Sequence, residues 1–167
     1  NIKGWRNIIF AFKQSSGKTE HIQKSAEEIT KAVAFMSEKH TGALIVFTES
    51  MEDVMIERFG TKIDAIISSE LLLTIFFNKT PLHDGAVIIS DNKISYAGAI
   101  LPLSQNQLQW KYGTRHRAAL GMSEISKATV LVVSEETGDI YIAEKGNIKK
   151  YDDIKKVRNK IEKLLSK

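Results

Sequence analysis

AVIISDNKISYAGAIL, residues 86–101, is the stretch that decides the fold. Two apolar runs, Ala86–Ser90 and Lys93–Leu101, flank Asp91-Asn92, a pair that tolerates the positive φ of a tight hairpin turn, and Pro102 follows the second run. A second pair of strands, Thr129–Ser134 and Asp139–Ala143, is expected around Thr137-Gly138. Single strands are expected at Ala43–Phe47 and Ile63–Ile67. Helices separate them. Residues 20–39 set Ile22, Ala26, Ile29, Val33 and Met36 along one stripe, with Ser25 and Glu28 at capping-box spacing. Ser50 is placed to cap a short helix through Arg58, and Ser68-Ser69 to open one through Phe77 that stops near Asn78. Lys79-Thr80-Pro81 forces a loop, residues 104–111 read as a polar loop, and Gly113–Met122 reads as helical. Hairpins interleaved with helices exclude a strictly parallel, doubly wound sheet and predict a mixed sheet covered by helices.

At 167 residues with 43% hydrophobic content, the chain suits one globular domain with a real core. The absence of cysteine excludes disulfide scaffolds and thiolate metal sites and fits a reducing compartment. Any metal must be held by His, Asp, Glu or substrate oxygens. No apolar run approaches the roughly 18 residues of a membrane span, and no signal peptide opens the chain. The chain begins at Asn1 rather than Met, so it is expected to be part of a longer protein. The net charge of +4 suggests nucleic acid until it is divided: residues 149–167 carry eight basic and three acidic side chains, and the remainder sums to −1. The basic surplus belongs to one expected C-terminal amphipathic helix, with Ile154, Val157, Ile161, Leu164 and Leu165 on its apolar side.

Four segments could carry chemistry. Ser15-Ser16-Gly17-Lys18-Thr19 imitates a phosphate-binding loop, but Phe12 stands where the first glycine must turn the chain. A flexible polar linker between an N-terminal segment and the domain is the expectation there instead, with residues 1–19 as N-terminal segment or linker. Pro81-Leu82-His83-Asp84-Gly85-Ala86 enters an apolar strand. It sets a carboxylate beside a glycine that permits close backbone approach and an imidazole that can hold a metal or a proton. Gly113-Thr114-Arg115-His116-Arg117 opens a helix with two guanidiniums, a combination suited to a polyphosphate. Ser134-Glu135-Glu136-Thr137-Gly138 ends a strand with a hydroxyl and two carboxylates. Alone, the last three are equally a turn, a basic surface segment and a polar hairpin loop.

Together they carry more. Asp84-Gly85-Ala86 and Arg115-His116-Arg117 resemble the paired DGA and RHR motifs of diadenylate cyclase domains. The likeness extends through Gly42–Phe47, Ile67–Leu71, Thr80–Ile89, Leu101–Ser104, Gly113–Glu124 and Val132–Gly138, and so over roughly residues 40–145. His83 and the Leu101-Pro-Leu-Ser104 segment are most similar to the membrane-anchored subclass, while Ile100 stands where some relatives have an adenine-stacking tyrosine. The resemblance implies an α/β fold with a mixed, mostly antiparallel central sheet surrounded by helices, with residues 20–167 as the catalytic domain. It implies two ATP molecules joined into cyclic di-AMP with release of two pyrophosphates, by two protomers meeting as a homodimer through their active-site faces.

The same resemblance implies roles for individual residues. Asp84 activates the ribose hydroxyl, and Gly85 and Ala86 offer backbone beside it. Arg115 and Arg117 hold phosphates, with Gly113, Thr114 and Ser134 as further contacts, while His116 orients the loop and Leu101 packs on adenine. A divalent cation is expected on His83, Asp84 and Glu136, and the imidazole favours Mn²⁺ or Co²⁺ over Mg²⁺. The implied location is cytoplasmic, with membrane attachment only through an anchor outside this stretch. A non-catalytic sensor of ATP or cyclic di-AMP on the same scaffold is the alternative, and intact Asp84 argues against it. A nucleic-acid-binding module is disfavoured by the charge distribution and by the expected lack of an aromatic platform near Arg115.

Overall fold

The computed structural model describes residues 2–54, 56–106 and 112–167; for residues 1–6, 8–10 and 12 it supports no side-chain description. Its strands are β1 (Ala43–Phe47), β2 (Thr61–Ile66), β3 (Ala86–Ser90), β4 (Lys93–Ala99), β5 (Thr129–Val133), β6 (Ile140–Glu144) and β7 (Asn147–Tyr151). Its helices are α1 (Ile2–Glu38), α2 (Ser69–Phe76), α3 (Thr114–Ile125) and α4 (Ile154–Leu165), with a 3₁₀ turn at Met51–Asp53. The strands form one sheet in the order β2-β4-β3-β1-β5-β6-β7. Only β1 and β3 pair in parallel; the other adjacent strands are antiparallel. The expected mixed, mostly antiparallel sheet is thus the observed one.

Strand alternation builds two cores. Ala43, Ile45 and Phe47 of β1, Val87 and Ile89 of β3, and Leu131 and Val133 of β5 face α1, α2 and α4. Leu44 and Val46, Ala86 and Ile88, and Val130 and Val132 face the opposite way, toward α3. β1, β3 and β5 are buried along their whole length, which is why they read as continuous apolar runs. Val157 and Ile161 of α4 are fully buried, and each such side chain contributes roughly 1.5–3 kcal/mol of burial. The hairpin that decides the fold forms as expected: Asp91 and Asn92 take φ of 50° and 54°, the conformation of a tight turn matched to strand twist.

Several local expectations change. Residues 15–19 are helical rather than a flexible loop, because α1 runs unbroken through them. Gly17 is exposed within that helix with nothing near it. Ser25 therefore caps nothing and lies buried in mid-helix, while Glu28 reaches sideways and accepts a hydrogen bond from Ser69 N–H at 2.7 Å. Ser68 accepts one from Leu71 N–H, so α2 is capped from two directions. The Ser69 N–H holds the Glu28 carboxyl below its usual range. The Ser50 cap serves only the 3₁₀ turn. The basic C-terminal segment is split: Lys149 and Lys150 belong to edge strand β7, and α4 starts only after Asp153, which accepts from Lys155 N–H. Residues 107–111 of the expected polar loop lie outside the described residues.

Candidate active site at one rim of the sheet

The registers set the site. Ile45 of β1 lies beside Val87 of β3, and Ala43 lies opposite Val133 of β5. Carried one residue past the ends of β1 and β5, Gly42 falls level with Ser134; on its other side Asp84 lies two residues before β3, at a bend ahead of Gly85. The entrance to β3 and the exit of β5 therefore share one rim, two strand spacings or about 10 Å apart.

On the β5 side the rim opens into a cleft of about 350 Å³ between the start of α3 and the β5–β6 turn. That volume lies within the usual range for ligand clefts, ~300–1,000 Å³. Gly113, Thr114, Arg115, Ser134 and Glu136 line it. Gly113 is the N-cap of α3 and supplies no side-chain acceptor, so the first-turn N–H donors are left without a side-chain cap. Arg115 donates from Nη1 to Glu135 Oε2 at 2.8 Å. Ser134 Oγ accepts from the Glu136 and Thr137 N–H groups at 3.3 Å each, which holds the turn and keeps the hydroxyl hydrogen available.

His116 is the buried member of this group. Its ring stacks on Tyr112 at 5.4 Å and meets the edge of Tyr141 at 4.7 Å, so aromatic rings do accompany this segment, contrary to expectation. Burial lowers its pKa; the Glu136 and Asp139 carboxylates oppose that shift, and Arg115 adds to it. Its buried Nε2 has no hydrogen-bond partner. Burial thus favours the neutral imidazole, which packs between Tyr112 and Tyr141 one residue along α3 from Arg115.

Several expected site residues lie elsewhere. Arg117 is two positions beyond Arg115, on a different side of α3, and does not line the cleft. Leu101 is 4% exposed and belongs to the core under α3, so it offers no surface to a base. Ala86 is fully buried and pairs with Ala99. Gly85 has φ of 111°, and a Cβ there would come within 2.7 Å of Ala99 O, so its close approach is to β4 rather than to a ligand. Of that motif, only Asp84 presents an exposed side chain. It makes no hydrogen bond or ion pair among the described residues.

His83 neighbours it, half-buried, with Nδ1 2.7 Å from Thr80 O. If Nδ1–H donates there, Nε2 carries the lone pair that a metal takes. Among the described residues no group of three or more His, Asp or Glu side chains converges, so His83, Asp84 and Glu136 do not form one closed metal site. The oxygen and nitrogen donors of Asp84 and His83 would suit an open site that relies on further oxygens from outside the chain. Sequence reasoning missed the Glu135 pairing and the Tyr112–His116–Tyr141 cluster. The aromatic spacing was visible but carried no sign of the contact across the sheet.

Comparison with known proteins agrees with this geometry. The family model described as DAC, DisA bacterial checkpoint controller nucleotide-binding, matches residues 30–148. The chain is 43% identical over 129 residues to the cyclic di-AMP synthase CdaA of Bacillus subtilis, covering 75% of this chain and 46% of that protein. It is 48% identical over 124 residues to a diadenylate cyclase of Listeria monocytogenes, covering 73% and 45%. It thus spans about half the length of these curated relatives. The crystal structure of DacA from Staphylococcus aureus superposes with a TM-score of 0.79 at 41% identity, over 85% of this chain and 95% of that one. A structure described as a hypothetical membrane spanning protein from Bacillus cereus gives 0.72 at 42% identity, over 77% and 64%.

Proposed function

The chain belongs to the DAC family, and from that premise we propose that residues 20–167 are the catalytic domain of a diadenylate cyclase, which condenses two ATP molecules into cyclic di-AMP and two pyrophosphates. The observation that carries the proposal is the shared rim: a polyphosphate cleft built on Arg115 and a bare helix start, about two strand spacings from the exposed carboxylate of Asp84. One nucleotide can lie along that rim with its outer phosphates at Arg115 and Thr114 and its ribose toward Asp84.

The reaction joins a ribose 3′-oxygen to the α-phosphorus of the other ATP and breaks that phosphorus's bond to the bridging oxygen of pyrophosphate. Asp84 takes the hydroxyl proton, and the Arg115 fork and the α3 N–H donors stabilise the charge on the departing pyrophosphate. His116 holds the Arg115 segment in place from beneath. Glu135 and Glu136 beside the cleft repel an incoming triphosphate, which favours its arrival as a metal complex. A divalent cation at His83 and Asp84 would supply hydroxyl activation and phosphate neutralisation, and the imidazole nitrogen makes Mn²⁺ or Co²⁺ a better occupant than Mg²⁺.

Each chain offers one such cleft, so the two reciprocal attacks require two chains facing each other about a two-fold axis. The protein is further assigned to the cytoplasmic side of a membrane-anchored assembly, by likeness to the membrane-spanning Bacillus cereus protein. The anchor would lie in other sequence, because no helix among the described residues is long and apolar enough to cross a membrane.

The test is incubation with ATP and Mn²⁺, product identification by mass spectrometry, and rate per protomer over a dilution series beside analytical ultracentrifugation. Cyclic di-AMP formed at a rate that falls on dilution supports the reading. ATP left unconverted overturns the cyclase assignment, and a constant rate in a strictly monomeric sample overturns the two-chain mechanism.

A further inference from the structure

Gly42 closes the turn between α1 and β1, is buried, and sits at the rim, level with Ser134 by register and beside the entrance to β3. A Cβ built on it would stand 2.4 Å from Arg115 Nη1, 2.5 Å from Cζ and 3.0 Å from Nε. Three atoms of one planar group are overlapped at once, so the guanidinium lies across the bare Cα. The glycine is not required by the backbone, since its φ is outside the left-handed region that side chains avoid. What residue 42 must lack is volume. Arg115 is only 23% exposed along its side chain, and its Nη1 is drawn to Glu135 at 2.8 Å. An ion pair to a carboxylate as exposed as Glu135 adds little stability, but together with the glycine seat it restricts a long side chain to one direction. Among the described residues the remaining N–H donors of the fork make no other hydrogen bond.

We infer that Gly42 is a positioning residue for the phosphate-binding arginine: its missing side chain is the seat that aims the Arg115 fork into the cleft, with Glu135 holding the fork from the side. The inference rests on the cyclase reading of the cleft and concerns how that cleft selects a nucleotide with outer phosphates. A fork aimed in advance loses little freedom when a triphosphate binds, so the seat discriminates ATP from AMP through pre-organisation.

The test is a double-mutant cycle of Gly42→Ala and Arg115→Ala, read by calorimetric affinity for ATP and for AMP, with thermal unfolding of all four proteins. Gly42→Ala is expected to weaken ATP about tenfold, the scale of one lost charge-assisted contact, and to change AMP less than about twofold. With Arg115 already alanine, the same change should cost ATP nothing more. If Gly42→Ala lowers the melting temperature, the double variant should regain it, because the overlapped group has gone.

An equal ATP loss in both backgrounds, an equal loss for AMP, or a destabilised single variant that Arg115→Ala fails to rescue overturns the inference. Wild-type protein that binds ATP but forms no cyclic di-AMP leaves the Gly42–Arg115 cycle standing while the cyclase assignment falls. Wild-type protein that binds no ATP brings down both.

Discussion

The two ends of the active rim are built in opposite ways. At the β5 end, Arg115 lies over Gly42 and is paired with Glu135, and its helix neighbour His116 packs with Tyr112 and Tyr141. At the β3 end, Asp84 is exposed, with no hydrogen bond or ion pair among the described residues, and neighbouring His83 is held to Thr80 O through its backbone N–H and its Nδ1. The difference separates tasks. Binding benefits from groups aimed in advance, whereas a proton acceptor beside a metal must stay free until substrate completes its surroundings. On the proposed cyclase reading, the grip is built in advance and the chemistry is left open.

The sharpest way to break that comparison is Asp84→Asn, which keeps the shape but removes the charge and basicity. Product formation should fall by about 10²–10⁴-fold, the usual weight of a general base, while calorimetric ATP affinity stays near the wild-type value. A variant that keeps its turnover, or loses ATP, removes the division between the two ends. Next in size, Arg115→Ala should weaken ATP by about tenfold or more with little effect on AMP. Equal losses for both nucleotides would place Arg115 away from the outer phosphates.

A smaller effect is expected at His83. His83→Ala should lower activity in Mn²⁺ more than in Mg²⁺, because the site loses its one nitrogen donor. An unchanged ratio of the two activities places His83 outside the metal shell and leaves Asp84 alone at that end.

The smallest effect concerns the pre-built end. Burial keeps the folded-state pKa of His116 below its ordinary 6.5, so the unfolded chain takes up the proton first as pH falls. The stability this burial provides is present above that ordinary value and is lost as pH drops from it toward the folded-state pKa. Thermal unfolding followed from about pH 7 down to pH 5 should show a shallower decline in His116→Gln than in wild type. Parallel curves would mean that His116 is not the neutral support beneath Arg115.

The hairpin at Asp91-Asn92, the buried runs of β1, β3 and β5 and the cap at Ser68 were all legible, because each depends on residues adjacent in sequence. Strand β7 was not. Its Asn147-Ile-Lys-Lys-Tyr151 is an edge strand with little burial, so its lysines looked like the start of the following helix. Ser25 and Glu28 matched a capping box because spacing cannot show whether a helix has already begun. In the site, the family likeness brought Arg117, Leu101 and Ala86 along with Arg115 and Asp84, because a motif is read as a run of neighbours that does not show which of them are buried. Only burial and helix phase separate them: Leu101 and Ala86 lie in the core, and Arg117 lies outside the cleft.

By itself, the sequence determined the family, the mixed sheet and the two motifs about thirty residues apart. Local backbone preference, alternation of apolar residues and residue identity are all written along the chain. Tertiary structure decided that the two motifs share a rim, that Arg115 is gripped from both sides, and that the three proposed metal donors do not converge in one chain. The physical reason is register. Gly42, Ser134 and the entrance to β3 come to one rim only when β1 takes a parallel neighbour on one side and an antiparallel neighbour on the other. That choice depends on how strands far apart in sequence bury their faces together, which no local pattern records.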